Sequence, residues 1–222
     1  FQEPTPVQAA AIPHAIAGED LYIIAQTGSG KTAAYVLPIL QRLLEDDSKA
    51  LAPRALVLSP TRELAQQILK DVQALARFTF LKAELVIGGE DFKVQAAKLR
   101  KNPDIVIATP GRTLEQLEAG GLDLSEVQTL VIDEADRMLD MGFSEDVLSI
   151  ASACPEQRQT MLFSATTGNQ GSIAGGERLG HQALCIAGLP GDPYRQFLSG
   201  FTPTGHCRPY FFVERLFAVQ DQ

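Results

Sequence analysis

Nowhere in the 222 residues does an apolar run approach the roughly 20 residues that a membrane-spanning helix needs, so no membrane partner is expected. Cysteine is scarce. Cys154, Cys185 and Cys207 are odd in number and far apart, which excludes a disulfide framework and a zinc-binding pattern. A reducing, cytoplasmic setting is the expectation. No signal peptide is visible and the first residue is Phe1, so the chain reads as a fragment. An excess of positive charge is also missing. The formal net charge is −8, whereas nucleic-acid binders more often carry a basic face. Any claim on nucleic acid must therefore rest on particular groups rather than on bulk charge.

What remains is ordinary globular composition, 45% hydrophobic and 21% charged, at a length that suits one domain. Six short apolar runs read as strands: Leu21–Ala25, Ala55–Ser59, Leu81–Ile87, Asp104–Ala108, Thr129–Ile132 and Thr160–Ser164. Each is a continuous rather than alternating run, as in parallel strands buried on both faces. Helical stretches fall between them, at Thr32–Leu44, Arg62–Arg77, Asp91–Arg100, Arg112–Ala119 and Glu145–Ala153. The alternation predicts an α/β fold with a doubly wound, mostly parallel sheet. Ligands of such sheets sit beyond the carboxyl ends of the strands, and the polar motifs fall there.

The pattern lapses after about Thr167. Residues 168–222 hold nine of the eighteen glycines and no lysine, and the four arginines after Thr166 are balanced by four carboxylates. The expected division is therefore a domain over 1–167 and an atypical tail over 168–222. The tail is either the loop-rich end of the same domain or sequence not selected for this fold, such as a frameshifted or aberrantly spliced end. Within it, His181–Ala187 reads as a candidate last strand, and Phe211–Val219 is apolar.

Residues 25–32 read Ala25-Gln26-Thr27-Gly28-Ser29-Gly30-Lys31-Thr32, between a strand and a helix. That context suits a phosphate-binding P-loop. Glycines let several N–H groups face one anion, and the helix start adds its dipole. Lys31 is then expected on the β- and γ-phosphates and the Thr32 hydroxyl on Mg²⁺. The bland alternative is a glycine-rich turn that happens to precede Lys-Thr. Asp133-Glu134-Ala135-Asp136 follows a strand directly. Asp133 suits the Mg²⁺ site and Glu134 the base that orients and deprotonates water, although carboxylates also gather at ordinary helix starts.

In chain order, PTPVQ (4–8), AQTGSGKT (25–32), PTRELA (60–65), Gly88-Gly89, TPGR (109–112), DEAD (133–136) and SAT (164–166) now stand together. Over roughly residues 1–166 the set resembles the first RecA-like domain of a DEAD-box RNA helicase, a P-loop NTPase fold. The resemblance implies that Gln8 reads the adenine of ATP through its amide. It implies RNA-backbone contacts, indifferent to base sequence, from Pro60, Thr61, Arg62, Gly89, Thr109, Pro110, Gly111 and Arg112. Without the P-loop, Gln8 reads rather as a solvated polar residue on a helix starting near Pro6, and Thr61 and Thr109 read as helix caps, a role compatible with anion binding. Ser164, Ala165 and Thr166 resemble the motif that couples hydrolysis to strand separation, with Ser164 and Thr166 expected to hydrogen-bond the acidic tetrapeptide and leave Asp136 oriented.

The resemblance also implies a partner, a second RecA-like domain that brings arginine fingers and closes over ATP and RNA. Nothing after Thr166 resembles it. Two readings follow: a domain of an RNA-dependent ATPase and helicase, nearly inactive alone, or a truncated module that binds nucleotide and RNA without turnover. A P-loop ATPase not acting on RNA fits less well, because Gln8 and the Asp-Glu-Ala-Asp spelling go together in RNA enzymes.

Overall fold

The computed structural model of the chain describes residues 3–46, 48 and 50–165, together with the backbone of 177–179 and 183–188. Six parallel strands form the body of one sheet: β1 (Asp20–Ala25), β2 (Ala55–Leu58), β3 (Ala83–Val86), β4 (Ile105–Ala108), β5 (Thr129–Ile132) and β6 (Gln159–Ser164). Across the sheet they run β3-β4-β2-β5-β6-β1. Two further strands, β7 (Glu177–Leu179) and β8 (Ala183–Gly188), extend the sheet past β1 in antiparallel register, with Ile23 opposite Cys185. The strand expected near His181–Ala187 is thus β8. The apolar stretch Phe211–Val219 lies outside the described residues, as does most of 168–222.

Among the described residues, seven helices cover the sheet: α1 (Pro6–Ala17), α2 (Lys31–Glu45), α3 (Arg62–Ala76), α4 (Phe92–Leu99), α5 (Pro110–Glu118), α6 (Ala135–Asp140) and α7 (Ser144–Ala153). The strands bury both faces. Leu21, Ile23, Val57, Ile107, Val131, Met161 and Phe163 pack on one side with residues of α1, α2 and α3. Their neighbours Leu56, Leu58, Val106, Leu130, Ile132 and Leu162 pack on the other with α6 and α7. Alternate residues serve opposite layers, and because both layers are apolar the period of two is invisible in the sequence.

Local chemistry sets the helix starts. At α1, Thr5 and Gln8 form a reciprocal capping box with Pro6 in the first turn, and Gly18 closes the helix at φ 82°. Thr61 caps α3 and Asp91 caps α4 through their side chains. Expected boundaries shift by one to a few residues; β3, for example, is shorter than the run Leu81–Ile87. The sequence pattern gives no sign of α6. Among the described residues no helix is long and apolar enough to cross a membrane.

Candidate functional site

Six of the seven motifs leave the carboxyl end of a parallel strand, and the strand order sorts those six into two groups; the seventh, residues 4–8, opens α1. The loops after β1, β5 and β6 carry residues 26–30, Asp133–Asp136 and Ser164–Ala165. Those after β3, β4 and β2 carry Gly88–Gly89, Thr109–Arg112 and Pro60–Arg62. One edge of one sheet therefore holds two adjacent sites.

In the first group, the loop 26–30 turns sharply between β1 and α2. Gly28 and Gly30 have φ of 80° and 91°, the left-handed region that glycine enters without strain. A Cβ at Gly28 would meet only open space, whereas one at Gly30 would collide with the Gln8 amide. Gln26, Thr27 and Gly28 are exposed, and Ala25 is buried as the last residue of β1. Lys31 is buried, and its Nζ donates to the Ala25 carbonyl at 2.9 Å. Ser29 Oγ is buried without a protein hydrogen-bond partner. Gln8 is buried rather than solvated. Its Oε1 accepts from the Thr5 amide at 3.0 Å and its Nε2 donates to the Gly30 carbonyl at 3.1 Å, which ties α1 to the loop.

Asp133 lies below this loop at the end of β5. Burial pushes its carboxyl up to about 6, against the pull of the Lys31 charge and of a hydrogen bond from Tyr35, while Glu134 adds to the rise. Its Oδ1 accepts from the Glu134 amide at 3.0 Å and its Oδ2 from the Tyr35 hydroxyl at 3.0 Å. Glu134 stands in the left-handed region at φ 51°, an unusual place for a residue with a side chain. Its carboxylate meets Arg137 at 3.2 Å. Behind it, the Ala165 amide donates to Asp136 Oδ2 at 3.2 Å. The expected tie between the strand-six motif and the acidic tetrapeptide is present, but through the backbone of Ala165. Ser164 is buried beside it, and Thr166 lies outside the described residues.

These residues suit a phosphate chain with a divalent cation. Among the described residues no cluster of three or more His, Cys, Asp or Glu side chains exists to hold a metal alone. A hard cation held by one carboxylate, a hydroxyl and phosphate oxygens needs no such cluster. A cation beside Asp133 would relieve a carboxylate that burial makes costly to ionise, and Thr32, half-buried at the start of α2, brings a hydroxyl.

In the second group, the exposed Arg62 lies over Gly88 and Gly89, so closely that a Cβ at Gly89 would strike its Nη1. Pro60 is buried, and the Thr61 hydroxyl accepts from the Leu64 amide at 3.3 Å, so the capping role expected for it is present. Thr109 sits at the cap position of α5 without making a side-chain cap bond, while Pro110 packs inward and a Cβ at Gly111 would meet open space. The guanidinium of Arg112 is turned inward. It meets Glu115 at 2.7 Å, the Glu90 carbonyl at 3.0 Å and Gln95 Oε1 at 3.1 Å, which ties the start of α5 to the loop after β3 and to α4. Gln95, which no sequence motif singled out, is buried and donates to the Ile87 carbonyl at 2.7 Å, joining the glycine loop to α5. Exposed helix-start amides, hydroxyls and Arg62 therefore form a surface suited to a sugar-phosphate backbone.

The model of the DEAD/DEAH box helicase family matches residues 5–172. The chain is 51% identical over 171 residues to the probable ATP-dependent RNA helicase ddx27 of Dictyostelium discoideum, covering 77% of this chain and 22% of that protein. It is 48% identical over 167 residues to the ATP-dependent RNA helicase DeaD of Escherichia coli, covering 75% of this chain and 26% of that one. Among solved structures, the yeast DEAD-box splicing factor Prp28 matches with a TM-score of 0.71 and 36% identity over 75% of this chain and 41% of that chain. A hypothetical ATP-dependent RNA helicase from Sulfolobus tokodaii matches with a TM-score of 0.65 and 40% identity, over 75% and 47%. The chain thus spans about a fifth to a quarter of these curated relatives and less than half of the two solved chains.

Proposed function

The chain belongs to the DEAD/DEAH box helicase family, and on that premise we propose that it is the RecA-like domain that binds Mg-ATP and grips RNA, serving an enzyme that couples ATP hydrolysis to RNA duplex unwinding or remodelling. The observation that carries the proposal is the sorting of six motifs into two adjacent groups along one sheet edge, with the seventh tied to the P-loop through Gln8. Such proximity lets a change at the nucleotide reach the RNA through packed strands rather than a long relay.

Residues take roles by position. Gln8, already fixed to the P-loop, is placed for the adenine, and its amide keeps one N–H and one lone pair for a base edge. Backbone amides of Gly28 to Thr32 face the phosphates, and Lys31 exchanges its Ala25 contact for a phosphate oxygen. Thr32 and Asp133 would hold Mg²⁺, which would neutralise charge on the phosphates. Glu134, on its kinked backbone, orients and deprotonates the attacking water. Asp136, held by Ala165, passes the state of the site to β6. Arg62 and the starts of α3 and α5 take the RNA backbone, while Arg112 and Gln95 brace the loop that presents it.

Binding of labelled single-stranded RNA tests the nucleic-acid half. Few cationic contacts are available, so the slope of log K against log salt should be shallow, roughly −2 or less, given about −0.7 per phosphate neutralised on single strands. Homopolymers of different base should bind within a few-fold of each other, and Arg62→Ala should weaken all of them alike. A steep slope, or strong preference for one base sequence, would refute backbone gripping by these groups.

A further inference from the structure

Tyr35 belongs to none of the motifs. It lies one helical turn after Lys31 and Thr32 on α2 and is fully buried. Its hydroxyl donates to Asp133 Oδ2 at 3.0 Å. Its ring packs edge-on against Phe163, with centroids 5.1 Å apart and planes at 63°. Phe163 directly precedes Ser164 and Ala165, whose amide holds Asp136. A phenylalanine would fill the same space, so packing alone does not call for the oxygen. A buried phenol does require a polar partner, and here that partner is the carboxylate proposed to hold the metal.

Asp133 is thereby held at both oxygens, Oδ1 by the Glu134 amide and Oδ2 by the phenol. Two donors fix the plane of a carboxylate, and each oxygen retains a lone pair for a metal-bound water. We infer that Tyr35 is a positioning residue for the metal site: its hydroxyl fixes the orientation of Asp133 so that Mg²⁺ meets a preset carboxylate. Outer contacts of this kind orient ligand groups, and their loss commonly weakens metal binding. The inference rests on the Mg-ATP reading of the same site.

The test is calorimetric titration of the 222-residue chain and its Tyr35→Phe variant with ATP, once with excess Mg²⁺ and once with EDTA. The expected result is a loss of about tenfold in affinity with Mg²⁺, the scale of one hydrogen bond to a charged group, and less than about twofold with EDTA. A merely structural role would weaken both arms alike. Equal losses, no loss, or tighter binding with Mg²⁺ would overturn the inference while leaving the nucleotide site standing. A wild-type chain that binds ATP no better with Mg²⁺ than with EDTA would overturn the metal site itself and the inference with it.

Discussion

Glu134→Gln in the full-length helicase should leave Mg-ATP affinity within about twofold and cut hydrolysis by roughly 10²- to 10⁴-fold, the usual contribution of a positioned general base. Glutamine keeps the shape of the side chain and much of its hydrogen bonding but cannot take a proton from water. The structure gives the carboxylate a place suited to that task. The Glu134 backbone stands at φ 51°, and the two adjacent acids have different partners, Arg137 for Glu134 and Tyr35 for Asp133. Arg137, whose side chain is 55% exposed, contacts it at 3.2 Å and contributes little to stability as a surface pair. It still restrains the carboxylate near the solvent side of the site. Steady-state turnover alongside equilibrium nucleotide binding measures both halves of the prediction. Turnover within a few-fold of wild type would remove Glu134 from the role of base.

The second large effect concerns charge on the γ-phosphate. Transfer spreads negative charge over its oxygens, and an arginine placed there contributes about 10³–10⁵ in rate. The arginines on the motif loops of this chain are already engaged: Arg62 lies over Gly88 and Gly89, Arg112 meets Glu115, Glu90 and Gln95, and Arg137 meets Glu134. The finger is therefore expected from a second RecA-like domain. The 222-residue chain alone should bind Mg-ATP yet hydrolyse it about 10³- to 10⁵-fold more slowly than when joined to such a domain, with or without RNA. RNA-stimulated turnover by the chain alone near ~1 s⁻¹, within the ordinary enzyme range, would contradict this.

The strands were legible because each is an uninterrupted apolar run, and the P-loop because glycine spacing has a direct backbone consequence. Strand order was not legible, since it depends on crossovers over both faces, and two equally apolar faces leave no alternation to read. The helix α6 escaped notice because it is six residues long and begins at the acidic tetrapeptide, with its start set by the positive φ of Glu134. Arg112 was legible as a motif residue, but its inward turn was not. Glu90 and Gln95 are distant in sequence and meet it only once the loop after β3 and α5 fold together. Gln8 shows the same limit, since its carbonyl partner on Gly30 is 22 residues away. Tyr35 left one faint trace, a polar atom inside the apolar run of α2.

The most direct measurement of the central claim is calorimetric titration of Mg-ATP into the wild-type chain and into Lys31→Ala. Lys31 is buried at the foot of the loop, within reach of the Ala25 carbonyl and electrically coupled to Asp133. If the loop is a phosphate cradle, removing its ammonium removes a charge-assisted contact worth about 1.5–3 kcal/mol. The account predicts saturable Mg-ATP binding by the wild type and a loss of roughly tenfold or more in the variant. Equal affinity for the two proteins would contradict it.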